Sequence, residues 1–336
     1  MWVVIACPLF FIATFSWISQ PAMAQTTLKR FVFETIEMGV QLKIVVYCDD
    51  QTAAQQAIDS AVAKVQQCNQ VFSDYQADSE LSKLSQLGGN SVAVSPMFMD
   101  LLSRANQISE QTEGRFDVTM GALTKQWREI KKTKTLPDPD VLSDLRLSCG
   151  FQRVTVDRIK QTIEFPSGLF FDFGGIGKGY AADLALQAIQ DAGWQSALVD
   201  LGGDIAIGAK PPEKTGWKVG VSTPSGQLPR YIELSDCGVA TSGDTEQFVE
   251  IDGVRYSHVL DPATGLGVQR RAHVTVVSPN ATLADAMASA YCVMSVQQAI
   301  ADANESETAD VLIQWRRDQQ LMTDSSTTFP DLQQLK

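Results

Sequence analysis

Phe171-Asp172-Phe173-Gly174-Gly175-Ile176-Gly177-Lys178-Gly179-Tyr180-Ala181-Ala182-Asp183 decides how this chain is read. Leu169, Phe170 and Phe171 form a short apolar run, which predicts a buried strand. Four glycines follow within six residues, and then Ala181, Leu184, Ala185, Ala188 and Ile189 recur on one face of a helix. The turn thus feeds a helix N-terminus. Unpaired N–H groups and the helix dipole favour an anion there, and glycine lets a phosphate come close to the backbone. Lys178 adds positive charge in the same turn. Two named phosphate loops do not fit. A Walker A loop needs Ser or Thr where Gly179 stands, and a dinucleotide fingerprint needs glycine where Tyr180 stands. Asp200, after the next strand, could still mimic a ribose-binding acid. A tight strand–helix connection without ligand explains the same residues.

Working outward, Val154–Val156 and Thr162–Phe165 predict a hairpin leading into this stretch, and Ala197–Leu201 a buried strand after it. Strands are also expected at Phe31–Glu37, Val40–Tyr47, Ile205–Ile207, Trp217–Val221, Tyr231–Leu234, Val274–Val277, Val311–Trp315 and Leu321–Thr323. Met38-Gly39 marks a hairpin or a bulge, and Asp252-Gly253 a tight hairpin between Phe248–Ile251 and Val254–Tyr256. Asp50 can cap a helix with the apolar face Ala54, Ala57, Ile58, Ala61, Val65 and Cys68. Ser95 and Pro96 read as N-cap and first residue of another, and Leu283–Val296 as a third. Phe72 to Leu81 reads as a polar loop, and Lys125 to Ser148 as a charged surface excursion. The expected fold class is α+β, with mixed or antiparallel sheets and packed helices.

A formal charge of −12 argues against nucleic-acid binding, which needs a basic face. Met1–Ala24 carries no charged residue and ends in the A-x-A pattern Ala22-Met23-Ala24, so a cleavable secretory signal is expected, an uncleaved anchor being the alternative. One domain is expected from 25 to 323, with a two-lobe division near 125–150 as the alternative, and a mobile tail from Asp324 to Lys336. Five cysteines follow the signal with no CxxC spacing. That pattern argues against a disulfide framework or a zinc site.

Three further segments could carry chemistry. Asp285 and Ser289, four apart, share a helix face and are oxygen donors of the kind Mg²⁺ accepts. Thr282-Leu283-Ala284-Asp285 also has capping-box spacing, which needs no metal. His258, one of two histidines, sits at a strand end beside the turn signals Asp261-Pro262 and Thr264-Gly265, and is either a general base or structural. Gly238-Val239-Ala240-Thr241-Ser242-Gly243-Asp244 reads as a small-residue turn, bringing N–H groups to a phosphate or simply joining two strands.

Taken as an ordered set, these segments resemble the ApbE-type flavin transferases (FAD:protein FMN transferase). The resemblance rests on Phe116-Asp117-Val118-Thr119-Met120-Gly121-Ala122-Leu123, the Asp172–Asp183 stretch, Asp200-Leu201-Gly202-Gly203-Asp204, Ala240-Thr241-Ser242-Gly243-Asp244, His258-Val259-Leu260-Asp261-Pro262-Ala263-Thr264-Gly265 and Thr282-Leu283-Ala284-Asp285-Ala286-Met287-Ala288-Ser289-Ala290. It implies a monomeric periplasmic enzyme that uses Mg²⁺ to move FMN from FAD to a Thr or Ser hydroxyl of an acceptor flavoprotein subunit, in a membrane redox complex or a secreted flavoprotein, with AMP leaving. By position, it implies Gly175, Asp285 and Ser289 as metal ligands. It implies Met38, Tyr75, Arg115, Phe116, Asp117, Asp172, Lys178 and Leu260 as flavin-nucleotide contacts, and His258 as the base. Ser289 stands where the family usually has Thr. An FAD pyrophosphatase and a non-catalytic flavin carrier are the competing expectations.

Overall fold

The computed structural model describes residues 27–221, 230–243, 248–317 and 320–334. The signal read over Met1–Ala24, and Asp244, lie outside them. An eight-stranded sheet forms the centre, its strands lying side by side in chain order: Lys29–Glu37, Val40–Cys48, Ala197–Leu201, Asp204–Ile207, Cys237–Gly243, Ala272–Ser278, Asp310–Arg317 and Gln320–Ser325. Every neighbouring pair in it is antiparallel. The α+β expectation therefore holds, on the antiparallel side.

Strand alternation sorts the core into two layers. Ile44, Val46, Val199, Leu201, Val274, Val276 and Ile313 face the helices Gln51–Phe72, Gly177–Asp191 and Ala281–Val293. Val45, Ile207, Val239, Val277 and Leu312 face the other way, onto Trp217, Val219, Val221 and Ile232 of a smaller sheet. That sheet pairs Trp217–Val221 with Arg230–Leu234, and the latter with Gln333–Gln334. The described part of the segment expected as a mobile tail, 324–334, is therefore placed against the protein, with Phe329 and Leu332 packed on this second layer. Its apolar residues are too widely spaced to signal an element locally. They acquire a partner when the small sheet forms.

The caps read from sequence are present. Asp50 accepts from Ala53 N–H at 2.9 Å and Ser95 from Phe98 N–H at 3.2 Å. The Met38-Gly39 hairpin has both residues at positive φ, 49° and 76°, as a two-residue turn requires. Four other expectations change. Lys125–Ser148 is largely helical, as Gly121–Thr133 and Pro139–Leu147, because Trp127, Ile130, Leu142 and Leu145 bury one edge of a polar segment in a third cluster. Glu80–Leu84 forms a short helix at the end of the expected loop, capped by Ser79. The expected Leu283–Val296 helix runs Ala281–Val293, and a separate Ser295-capped helix, Val296–Glu305, follows it. Leu169–Phe171 makes one parallel bridge, Met120 to Phe170, instead of a strand.

Residues 238–243 belong to the central strand Cys237–Gly243, paired along its length with Ala272–Ser278 and at Cys237–Val239 also with Asp204–Ile207, so this stretch is sheet and not a turn. Gly238 is required there: a Cβ would lie 2.1 Å from Ala281 N. Gly179 plays the same part between helices, since its Cβ would lie 2.2 Å from the Ala281 carbonyl oxygen. No disulfide forms among the described cysteines, and burial pushes the Cys68 thiol up to about 12 and Cys149 to about 11, which keeps both inert.

Gly179→Ala must separate the Gly177–Asp191 and Ala281–Val293 helices. It should cost about 3 kcal/mol, read as a lowered denaturant midpoint. An unchanged midpoint would mean that the two helices are not in the contact described.

Candidate active site

Phe171 and Phe173 are buried and their rings stack, with centroids 6.4 Å apart, while Phe173 meets Phe98 edge-on at 5.3 Å. This alternation turns Asp172 away from the core. Its Oδ1 accepts from Gly174 N–H at 2.7 Å, which sets the turn. The Arg115–Gly121 loop lies alongside, because Asp172 N–H donates to the Val118 carbonyl at 2.7 Å and Gly121 N–H to Phe170 at 2.9 Å.

The Gly-rich helix and the Ala281–Val293 helix are locked through four polar contacts. Asp183 accepts from Ala281 N–H at 2.9 Å, Thr282 N–H at 2.8 Å and the Thr282 hydroxyl. Asn280 caps the same helix through Leu283 N–H at 2.9 Å. Asp285 Oδ2 accepts from Gly179 N–H at 3.1 Å. The capping-box reading of Thr282–Asp285 is thereby corrected: capping falls to Asn280 and Asp183, and Asp285 reaches across to the other helix. The anion expected at the Gly-rich helix N-terminus is, in part, this carboxylate.

Lys178 pairs with Asp204, the first residue of the Asp204–Ile207 strand. Asp204 and Asp285 are both buried. Burial alone would lower the Lys178 ammonium, but Asp204 and Asp285 outweigh it and hold the amine well above its usual range. One ammonium cannot compensate two buried carboxylates. Burial, then repulsion from Asp285, raises Asp204 to about 7, and burial raises Asp285 against the pull of Lys178 and Gly179 N–H.

That deficit of positive charge is the test of a divalent cation, and the residues fit one. The second oxygen of Asp285 makes no hydrogen bond among the described residues. A Cβ on Gly175 would lie 3.0 Å from Ser289 Oγ, so the Gly175 backbone and the Ser289 hydroxyl are neighbours one turn along from Asp285. Carboxylate, hydroxyl and peptide carbonyl are all hard oxygen donors, as Mg²⁺ requires.

Of the remaining expected residues, Phe116 touches this centre and the others occupy separate elements. Phe116 is buried beside Gly175, 3.4 Å from where a Cβ would stand. Asp117 spends its oxygens on Thr119 N–H and hydroxyl and on Phe151 N–H, so it shapes the loop; burial raises it against those bonds. Arg115 beside it is half-buried. Met38 is half-buried at the sheet end where Gly202 N–H meets Gln41, next to Asp204. Leu260 is buried with Met120, Leu123 and Tyr256. His258 is exposed just beyond the Val254–Ser257 strand, held on a loop that closes through Asp261 N–H to Leu266 at 2.8 Å. Tyr75 is 82% exposed and stands apart from the buried core of the site. A cavity of about 490 Å³, bordered by Cys237, Asn304 and Asp310, contains none of these residues.

The ApbE family matches residues 38–313. The chain belongs to the ApbE family. A Treponema pallidum (strain Nichols) FAD:protein FMN transferase is 34% identical over 276 residues, 76% of each chain. The Haemophilus influenzae FAD:protein FMN transferase is 28% identical over 86% of this chain and 88% of its own. The apo form of Pseudomonas stutzeri flavinyl transferase ApbE superposes with a TM-score of 0.82 at 26% identity, covering 91% of this chain and 98% of that one.

Three residues with structural roles here carried no assigned part in the sequence. Asp183 and Asp204 stand in quoted motifs, but pairing across helices is not written in local spacing. Arg128 lay inside the expected surface excursion. Lys178→Met should cost about 3–5 kcal/mol in urea unfolding at pH 8, because two buried carboxylates lose their cation. Asp204 stands at about 7 with Lys178 beside it, and losing the ammonium raises that carboxyl further, so the folded variant takes up a proton first and the loss should shrink as pH falls from 8 towards 7. The added change Asp204→Asn should recover most of it. An equal loss at pH 6 and pH 8 would show that the pair is not coupled in this way.

Proposed function

We propose that this protein is an extracytoplasmic FAD:protein FMN transferase that joins FMN to a Thr or Ser hydroxyl of an acceptor protein and releases AMP. The observation that carries the reading is the convergence of Lys178, the Gly-rich helix N-terminus, Gly175, Asp285 and Ser289 in one place, within a chain whose relatives over most of its length are named for that transfer. The acceptor is a flavoprotein subunit of a membrane redox complex or a secreted flavoprotein, and the signal over Met1–Ala24 would deliver the enzyme to the periplasm.

Asp285, Ser289 and the Gly175 carbonyl would hold Mg²⁺, which when bound neutralises pyrophosphate charge and polarises the phosphorus under attack. Lys178 and the helix N-terminus hold the negatively charged oxygens and stabilise charge as it develops. The acceptor hydroxyl oxygen bonds to the FMN phosphorus, the bond from that phosphorus to the bridging oxygen breaks, and AMP leaves with that oxygen. The hydroxyl proton passes to the His258 imidazole. A base serving a protein acceptor must be reachable by a macromolecule, and the exposure of His258 supports the role.

Incubating the mature protein with FAD, Mg²⁺ and an acceptor subunit should add the mass of FMN to the acceptor and release AMP, with both lost on chelation. Free FMN and AMP without an adduct, across several acceptors, would replace the transferase with a pyrophosphatase. Intact FAD throughout would leave a flavin carrier. Asp285→Ala should lower turnover by about 100-fold or more at a given Mg²⁺ concentration. His258→Ala should lower kcat by about 10²–10⁴-fold while moving the KM for FAD little. A KM effect with kcat intact would make His258 a binding contact.

A further inference from the structure

Arg128 belongs to no motif, yet its guanidinium is held by both an ion pair and a ring contact beside the Asp172 segment. It projects from the Gly121–Thr133 helix, whose start is fixed by Gly121 N–H on the Phe170 carbonyl. One turn earlier, Lys125 lies over the Phe170 ring at 3.7 Å, so this helix face borders the segment that carries Asp172. The Arg128 guanidinium pairs with Asp74, and its carbon lies 4.4 Å from the centre of the Tyr75 ring. Asp172 acts on it as a further negative neighbour.

Among the described residues, only the Arg128 guanidinium stacks on the Tyr75 ring. The loop beneath is well tied: Tyr75 and Gln76 N–H donate to Ser73 Oγ at 3.3 Å, and the buried Ser79 hydroxyl donates to the Ser73 carbonyl at 2.5 Å. The ring itself is 82% exposed, with the guanidinium on it. A large aromatic side chain held out in solvent against a cation is arranged to receive a second flat group.

We propose that Arg128, fixed by Asp74, is a positioning residue that holds the Tyr75 ring as a stacking platform for one of the two ring systems of FAD. This rests on the transferase reading above. Arginine suits the role where lysine does not, because its planar group covers a ring while its edge pairs with a carboxylate. Fixing the ring before binding removes an ordering cost on association, so the effect falls on affinity and not on the transfer step.

The test is a titration of FAD into the unaltered protein and into Arg128→Met, Arg128→Lys, Asp74→Asn and Tyr75→Ala, with melting temperatures recorded alongside. Arg128→Met should weaken FAD about threefold to tenfold and raise the KM for FAD in step, with turnover at saturation within about twofold. Arg128→Lys should recover little of this, and Asp74→Asn should weaken FAD in the same direction. Arg128→Met combined with Tyr75→Ala should bind no more weakly than Tyr75→Ala alone. FMN and AMP titrated separately assign the stacked ring, since only the fragment that meets Tyr75 should weaken. Additive losses in the double variant, unchanged affinity for both fragments, or a fall in kcat with KM intact would each overturn the inference. If the unaltered protein binds no FAD, the functional reading falls and this inference with it. Binding by the unaltered protein with no change in Arg128→Met removes the inference alone.

Discussion

The hydrogen bond from Gly179 N–H to Asp285 is the contact on which the site depends. It joins the first turn of the Gly-rich helix to the interior of the helix that carries Ser289. It forms only because Gly179 has no side chain to hold the Ala281 backbone away. Asp183, one turn further on, then ties both ends of the approach by capping the partner helix. An isolated helix N-terminus would attract any anion from solvent. Here part of that capacity is taken by a fixed carboxylate, which converts a generic anion site into one whose charge balance calls for a cation as well.

The far end of the same partner helix is held by a different device. Arg270 Nη2 donates to the carbonyls of Met294 at 2.7 Å and Cys292 at 3.0 Å, which the helix leaves without partners of its own. Arg270 lies near the far end of the loop that begins at His258. The helix bearing Asp285 and Ser289 is thus clamped at its N-terminus by the Gly-rich stretch and at its C-terminus by the histidine loop. A shift of either clamp moves the oxygen donors, so the precision of the site comes from segments almost a hundred residues apart in sequence.

Much of this was legible beforehand because it is periodic or local. The alternation of Ile44, Val45 and Val46, the caps Asp50 and Ser95, and the Met38-Gly39 and Asp252-Gly253 hairpins follow from rules that act within a few residues. The site residues were legible as an ordered family set, and the structure brings Gly175, Ser289, Lys178 and Asp285 together. What was not legible needs a partner distant in sequence. Asp285 looked like a cap because Thr282 precedes it by three residues. Nothing local says that Asp183, across the helix interface, takes that cap and frees Asp285. The 238–244 glycines looked like a turn, whereas Gly238 is small to admit the Asn280–Ala281 backbone. Arg128 sat in a charged segment whose helical character comes from Trp127 and Ile130 packing on a cluster that includes Tyr256 and Leu260.

The burial of the parts also divides the proposed reaction. Asp204 and Asp285 are buried and the half-buried Lys178 reaches in to them, so in the proposed reaction their charges would act in a lower dielectric than water offers. His258 and Tyr75 are exposed. A transferase needs this asymmetry. If the whole site were buried, no protein hydroxyl could reach the phosphorus. If it were all exposed, water at molar concentration would compete with an acceptor present at far lower concentration. On the proposed mechanism, a phosphate-holding half inside and a proton-accepting half at the surface would let the acceptor protein itself complete the enclosure. Discrimination between hydroxyl and water would then rest on the acceptor surface around His258, more than on any residue of the buried half.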